Sequence, residues 1–493
     1  MGTLRSHSST TGPQAIRSLR RLAEQALSRT SGAPLLEHNH VRVLQDAAGN
    51  YPAWLEAIRS AKSYVHLENY IFQEDEVGCE FAEALIAKAR EGVVVRVVRD
   101  WLGSWRSASR SFWRHMVEAG VHLRCFNPPR LDSPIWWVTR DHRKTIAVDG
   151  RIAFVTGLCI SKRWKGDAVR DVPPWRDTGV EIHGPAVADV HAAFGQIWET
   201  MGDSLPADEL PAADKIAAAG EVALRVVAGA PAMAGMFRTD QLIAAVARES
   251  LWLTDAYFVG ITPYVQALLA AARDGVDVRL LIPHATDLRL VQTLSRSGFR
   301  PLLEGGVRIF EWNGSMLHAK TAVVDGRWSR IGSSNLNIAS FIGNYELDVA
   351  IDDVGIARDM KQMYLHDLDN ATEIILSRNR VLDIRQMGTQ AHEPRRRRKR
   401  GLSSGHKGSA AAAGAIRIAN AVGAAMTNRR LLGPAEGGLL AVSSLIFLAV
   451  AVLGLSWPRL LAIPIVVLAS YLGLVLVWRA FRLHRRRSGR QQP

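Results

Sequence analysis

Two stretches of the chain carry the same three side chains at the same spacing: His142, Lys144 and Asp149, then His318, Lys320 and Asp325. Both read His-x-Lys-x-x-x-x-Asp. One such match in a chain this long has a chance probability on the order of 6%, whereas two at matching places in a repeat are a strong signal. On an extended segment the His and Lys of each pair point to the same face, because strand side chains alternate. If two such pairs meet, two imidazoles and two ammonium groups converge on one point. A phosphodiester fits there: the lysines stabilise the non-bridging oxygens, one histidine attacks phosphorus and the other protonates the leaving alkoxide. Imidazole suits both tasks because its pKa lies near physiological pH. This chemistry asks for no metal and no cofactor. His66, His183, His191 and His284 lack ligand-type spacing and read as packing or surface residues.

The elements around the motifs follow a strand and helix alternation. Ser63 to Asn69 reads as a strand, Glu80 to Glu91 as a helix and Val93 to Val98 as the next strand, a βαβ pattern that predicts a largely parallel sheet. The pattern recurs. Ser250 to Tyr257 echoes Ser63 to Tyr70, Asp274 to Arg279 echoes Glu91 to Arg96, and Gly306 to Phe310 echoes Gly120 to Arg124. A single repeat this long means two similar domains rather than a solenoid. Residues 33–202 and 221–380 are the two copies, with 203–220, rich in Ala, Pro and Asp, as the connection. Ahead of them, residues 1–32 hold a polar start and an amphipathic helix from Pro13 to Ser28, read as packed on the body.

With these residues in view, the chain resembles the phospholipase D superfamily, and more closely its bacterial cardiolipin synthase branch. The likeness runs from about Ala33 to Leu376. Beyond the two motifs it rests on Gly332-Ser-Ser-Asn335, Asn344-Tyr-Glu346, Trp175-Arg-Asp177 followed by Gly184-Pro185, and Asn69-Tyr-Ile-Phe72. The resemblance implies an α/β fold of two similar phospholipase D-like domains packed face to face with pseudo-two-fold symmetry. It also implies a phosphohistidine intermediate, with His142, Lys144, Asp149, His318, Lys320 and Asp325 as the catalytic set. Asn335 and Ser333 would bind the substrate phosphate. Glu346, with Asp177 as its first-half counterpart, would orient a histidine, and the motif acids Asp149 and Asp325 read more as supports than as reacting groups. In one place the chain departs from the pattern: where the family shows Asn, 17 residues after His142, stands Cys159, and a thiol is a weak donor.

Charge separates the chain into two parts. The formal net charge is +14, which by itself suggests nucleic acid or an anionic membrane. From Arg395 onward there are 17 Lys or Arg and one acid, Glu436, whereas the preceding residues hold 44 basic and 46 acidic side chains. A slightly acidic body excludes a general nucleic-acid binder, whose affinity rests on cationic contacts to phosphate. Three scattered cysteines, Cys79, Cys125 and Cys159, exclude a disulfide framework and a common zinc site and fit a reducing setting.

Residues 381–436 form a basic, low-complexity linker. Residues 437–478 then hold two uncharged apolar runs, Gly437 to Pro458 and Leu460 to Trp478, of 22 and 19 residues. Each is long enough to cross a bilayer, so a C-terminal transmembrane helical hairpin is predicted. Arginines on both outer flanks, with residues 479–493 as a basic tail, place both termini and the catalytic body in the cytoplasm, and the resemblance implies that the membrane is a bacterial inner membrane.

Three functions compete. The first is a transferase that joins two phosphatidylglycerol molecules into cardiolipin, the second lipid being phosphatidylglycerol or phosphatidylethanolamine. In the second, water attacks the same intermediate, giving a phospholipase or, against the charge evidence, a nuclease. The third is a non-catalytic scaffold, disfavoured by two complete motifs. The partners that follow are an anionic phospholipid and a membrane, without specific nucleic acid.

Overall fold

The computed structural model describes residues 13–129, 138–377 and 380–383, together with nine isolated positions between 445 and 474. Helix α1 (Pro13–Ser31) leads into the first half. That half runs β1 (Leu36–Gln45), α2 (Asp46–Arg59), β2 (Tyr64–Asn69), α3 (Glu76–Arg90), β3 (Val94–Asp100), α4 (Arg110–Glu118) and β4 (His122–Phe126). It continues with β5 (Lys144–Val148), β6 (Ile152–Thr156), α5 (Lys162–Lys165), β7 (Thr178–His183) and α6 (Val187–Glu199). The second half opens with β8 (Val222–Gly229), α7 (Gly235–Val246), β9 (Ser250–Thr254), α8 (Thr262–Arg273) and β10 (Asp277–Pro283). There follow α9 (Arg289–Ser297), α10 (Phe299–Glu304), β11 (Arg308–Trp312), β12 (Thr321–Val324), β13 (Trp328–Gly332) and β14 (Glu346–Asp352). The closing elements are α11 (Val354–Asp369), β15 (Ala371–Ser377) and β16 (Arg380–Asp383).

The strands join in one sheet of order β16-β15-β11-β10-β9-β12-β13-β14-β8-β1-β7-β6-β5-β2-β3-β4. Outward from the antiparallel β8–β1 pair, β14, β13, β12, β9, β10 and β11 on one side repeat β7, β6, β5, β2, β3 and β4 on the other. The expected largely parallel sheet is corrected. In each half only the β2-β3-β4 and β9-β10-β11 sets are parallel, and β5 and β12, which begin at or just after the motif lysines, lie in antiparallel ladders. The reason is connection length. Helices carry the chain back between the parallel strands, whereas β5–β6 and β12–β13 are joined by tight turns that can only reverse direction. Register also corrects the repeat: Val65 pairs with Val148 and Leu251 with Val324, so Leu251 occupies the place of Val65, one residue off the match seen in sequence.

Outer helices cover the sheet in each half. Trp54, Phe81, Leu85 and Ile86 from α2 and α3 pack on Val65, Leu67 and Val95 in the first half, and Tyr264, Leu268 and Phe299 pack on Leu253 and Leu280 in the second. Between the halves lies a third cluster, to which Val155, Val180 and Ile182 contribute from one half, Ile331, Leu347 and Val349 from the other, and α6 and α11 their apolar faces. Helix α1 rests on the second half, where Leu27 meets the outer core and Glu24 pairs with Arg225.

Among the described residues no helix is long and apolar enough to cross a membrane. The expected spans at 437–478, the linker 381–436 beyond the end of β16 and the tail 479–493 lie outside the described residues, apart from the nine positions noted. Trp136 and Trp137 lie outside them too, while Trp113 is buried in the core and Trp105 is exposed.

Candidate active site

Both histidines stand just before a motif strand, on short segments that bond to the opposite half. The His142 N–H donates to the Tyr345 carbonyl at 2.9 Å, and the His318 N–H donates to the Arg176 carbonyl at 2.7 Å. Asp141 and Tyr345 form one isolated parallel bridge, Arg176 and Leu317 the other. Each bridge sets a histidine against the acid that follows its partner. Nδ1 of His142 lies 2.9 Å from Oε2 of Glu346, and Nδ1 of His318 lies 2.7 Å from Oδ2 of Asp177. The two carboxylates therefore serve the histidines crosswise.

A carboxylate at Nδ1 accepts the N–H hydrogen bond there, so that Nε2 of each neutral ring keeps its lone pair for the reaction, the orientation that a nucleophile or base requires. The Lys144 and Lys320 ammonium groups donate to the carbonyls of their own histidines, and Lys320 Nζ also lies 2.9 Å from Nδ1 of His318. Burial lowers the pKa of His142, Lys144 and Lys320 lower it further, and Glu346 opposes them. Burial, then Lys320, lowers His318 to about 4 against the pull of Asp177. The crosswise bonds bring the two motifs together, and each histidine feels both lysines. Burial pulls Lys320 itself down to about 8, with Lys144 adding to the shift and Asp177 resisting it. Burial disfavours the charged form of Asp177 and of Glu346, but the facing histidine and the lysines outweigh it and hold both acids below the usual carboxylate range.

The supporting groups differ between halves. Trp164 donates its indole N–H to Oδ2 of Asp177 at 2.8 Å, whereas Ser333 donates its hydroxyl to Oε2 of Glu346 at 2.6 Å. Gly157 leaves the room that Asp177 takes: a Cβ on it would come 2.3 Å from Oδ1 of the acid. Ser333, read from sequence as a phosphate ligand, is thus corrected to a partner of Glu346, because its hydroxyl proton is committed there. Asn335 is buried, and its side-chain oxygen has no hydrogen-bond partner among the described residues.

Asp149 and Asp325, which the sequence reads more as supports than as reacting groups, are bound to backbone amides. Asp149 accepts the N–H groups of Lys62, Ser63 and Tyr64 at 2.7–2.8 Å, and Asp325 those of Arg248, Glu249 and Ser250 at 2.8–2.9 Å. Each lies a strand's length from its lysine. Each is also the first of two positive-φ residues in a hairpin turn, Asp149-Gly150 and Asp325-Gly326. Asp-Gly is the pair such turns prefer. The constant spacing of the motif is therefore one short strand plus its turn.

Aromatic side chains frame the histidines, and the sequence signal for them was weak. Tyr70 meets His142 edge-on with ring centroids 4.9 Å apart, while Trp164, Trp175 and Tyr257 lie 5.2 Å, 5.8 Å and 5.8 Å from His318. Tyr70 and Tyr257 sit in the repeated segments already noted, but nothing in sequence marks Trp164. Cys159 is buried in the first-half apolar core, and burial pushes its thiol up, so it stays protonated.

Residues 54–198 and 241–368 match the family model described as cardiolipin synthase, PLD-like domain. A cardiolipin synthase of Alkalihalophilus pseudofirmus is 32% identical over 349 residues, 70% of this chain and 69% of that protein. The chain belongs to this family. A cardiolipin synthase of a Geobacillus species is similarly 33% identical over 354 residues, 71% of this chain and 70% of that protein. The crystal structure of phosphatidylserine synthase from Haemophilus influenzae superposes with a TM-score of 0.56 at 16% identity, covering 73% of this chain and 92% of that one, which shows the shared fold. Family membership, together with the two assembled motifs, makes the chain a phospholipase D-type phosphatidyltransferase.

Proposed function

We propose that the chain joins two phosphatidylglycerol molecules into cardiolipin and glycerol, in two displacements at one histidine. Nε2 of His142 attacks phosphorus of the first lipid. The P–N bond forms, the bond to the glycerol oxygen breaks, and His318 gives its Nε2 proton to that oxygen. The incoming anionic diester raises the proton affinity of His318, since an opposite charge nearby favours the protonated ring. A hydroxyl of the second lipid then attacks, His318 takes its proton, and the P–N bond breaks as the new P–O bond forms. Lys144, Lys320 and the Asn335 amide hold the non-bridging oxygens through both steps. The observation that carries this reading is the crosswise pairing of His142 with Glu346 and His318 with Asp177, which leaves both Nε2 atoms free in one buried site.

The proposed setting is a bacterial inner membrane, with the apolar runs of residues 437–478 as a hairpin and the catalytic body on the cytoplasmic side. The charge-free runs and flanking arginines support it. So does the exposure of Leu445, Leu448, Val452, Ile463, Val466 and Leu474, all at helical positions. The deciding experiment supplies headgroup-labelled phosphatidylglycerol to the purified chain in vesicles. Cardiolipin with released glycerol is expected; phosphatidic acid without cardiolipin would overturn the transferase reading.

A further inference from the structure

Among the described residues outside the C-terminal positions, twelve large apolar side chains are exposed. Six of them, Trp105, Val138, Val169, Val172, Met233 and Ile342, stand on loops built directly onto the site. The other six are spread singly over helix surfaces and the connection between halves, which is ordinary for a soluble face.

The anchoring of these loops is specific. The loop bearing Trp105 rests on Tyr70, whose carbonyl accepts the Ser104 hydroxyl at 3.2 Å and whose ring leaves no room for a side chain at Gly103. Val138 precedes His142 by four residues. Val169 and Val172, 97% and 50% exposed, belong to the segment that delivers Trp175 and Asp177. Met233 and Ile342 stand on two loops joined by the Ala232 N–H, which donates to the Ile342 carbonyl at 3.0 Å. Ile342 lies in a π-helical turn, Ala339–Gly343, between Asn335 and Glu346. Met233 is held between Ala232 and Ala234, at φ 67° and 49°. Left-handed backbone at two alanines costs roughly 1–2 kcal/mol each, and here it holds an apolar side chain out into solvent.

Charge on these loops points the same way. Segments 101–110 and 161–175 hold six Lys or Arg and two acids, in a body that is slightly acidic overall. Arg106, Arg110 and Arg163 are exposed and have no ion-pair partner among the described residues.

We infer that these loop tips form a rim that seats the mouth of the site on an anionic lipid bilayer, so that a phosphodiester at headgroup depth reaches the buried histidines without its acyl chains leaving the membrane. Apolar tips enter the boundary between headgroups and chains while the cations meet lipid phosphates. The inference rests on the lipid reading of the site and adds the surface through which that lipid arrives.

The test compares two substrates on the full chain: phosphatidylglycerol in anionic vesicles, and a short-chain phosphatidylglycerol dissolved as monomers. The variants are the double substitution Met233→Asp with Ile342→Asp, and Trp105→Asp. Val117→Asp and Leu365→Asp serve as exposed controls away from the site. The rim variants are expected to lose about tenfold or more on vesicles, the loss of one or two buried apolar anchors, while staying within about twofold on the monomer. The controls are expected to lose on neither. Retained vesicle turnover in the rim variants would overturn the inference and would suit a protein contact at these loops instead. An equal loss on both substrates would also overturn it, because the substitutions would then be damaging the site. If the unsubstituted chain turns over neither substrate, the lipid reading fails first and the rim falls with it.

Discussion

Nδ1 of His142 lies 2.9 Å from a carboxylate oxygen of Glu346, a residue 204 positions further along and in the other half of the molecule. The reciprocal bond, from His318 to Asp177, makes each half incomplete without the other. Glu346→Gln should lower kcat by about ten-thousandfold, as the loss of an orienting carboxylate does in a comparable triad, with little change in KM. The effect should vanish in a His142→Ala background but persist as a separate loss beside Asp177→Asn, measured as a double-mutant cycle. Coupling of Glu346 to His318 alone would contradict the crosswise assignment.

The pH profile follows from the groups that must hold a given charge. His142 has to be neutral to attack, and burial lowers its pKa, so the acid limb of kcat/KM should fall below the ordinary imidazole value of 6.5. Lys320, lowered to about 8, loses its cation above that pH, and kcat, read in the lipid complex where the bound diester holds the proton on His318, should fall there. Lys320→Arg keeps its charge throughout, so the alkaline limb should disappear from whatever activity remains. Persistence of that limb in the arginine variant would assign it to another group.

Ser333 and Asn335 sit two residues apart and should fail differently. Ser333→Ala removes a hydrogen bond to Glu346 and should lower kcat about tenfold at constant KM. Asn335→Ala should cost about a hundredfold in kcat/KM, by loss of a donor to the phosphate oxygens. A changed KM in the serine variant would return Ser333 to the phosphate.

Asp149→Ala strips three backbone N–H groups of their acceptor and loosens the start of β2. A loss of about 1–3 kcal/mol is expected, read as a lower Tm, with activity per folded molecule largely kept. Asp325→Ala should behave alike at β9. A large fall in kcat at unchanged Tm would put these acids into the chemistry.

Cys159→Ala should leave kcat within about threefold of the unsubstituted chain, because its thiol is buried in apolar core and stays protonated. Thiol-directed inactivation that this substitution prevents would refute that assignment.

Much of this protein was legible in the residues alone. Two copies of one motif announced two halves and a phosphodiester site, since imidazole beside ammonium has few other uses at that spacing. The helices and strands of the βαβ segments followed from apolar periodicity, which is a local property. Other features needed the folded chain. Which acid serves which histidine depends on two bridges between segments far apart in sequence, Asp141 with Tyr345 and Arg176 with Leu317, and no local pattern encodes a pairing at that range. The motif aspartates read in sequence as supports, without a sign of what they support. Only the hairpin reveals that the spacing measures a strand and its turn, and that Asp149 and Asp325 face backbone amides rather than substrate. Ser333 looked like a phosphate ligand until β13 and β14 set its hydroxyl against Glu346. Residue types and local spacing thus determined what chemistry the chain can perform. Long-range pairing across the two halves decided which atoms are free to perform it, because a side chain committed to a buried partner has no donor or lone pair left for substrate.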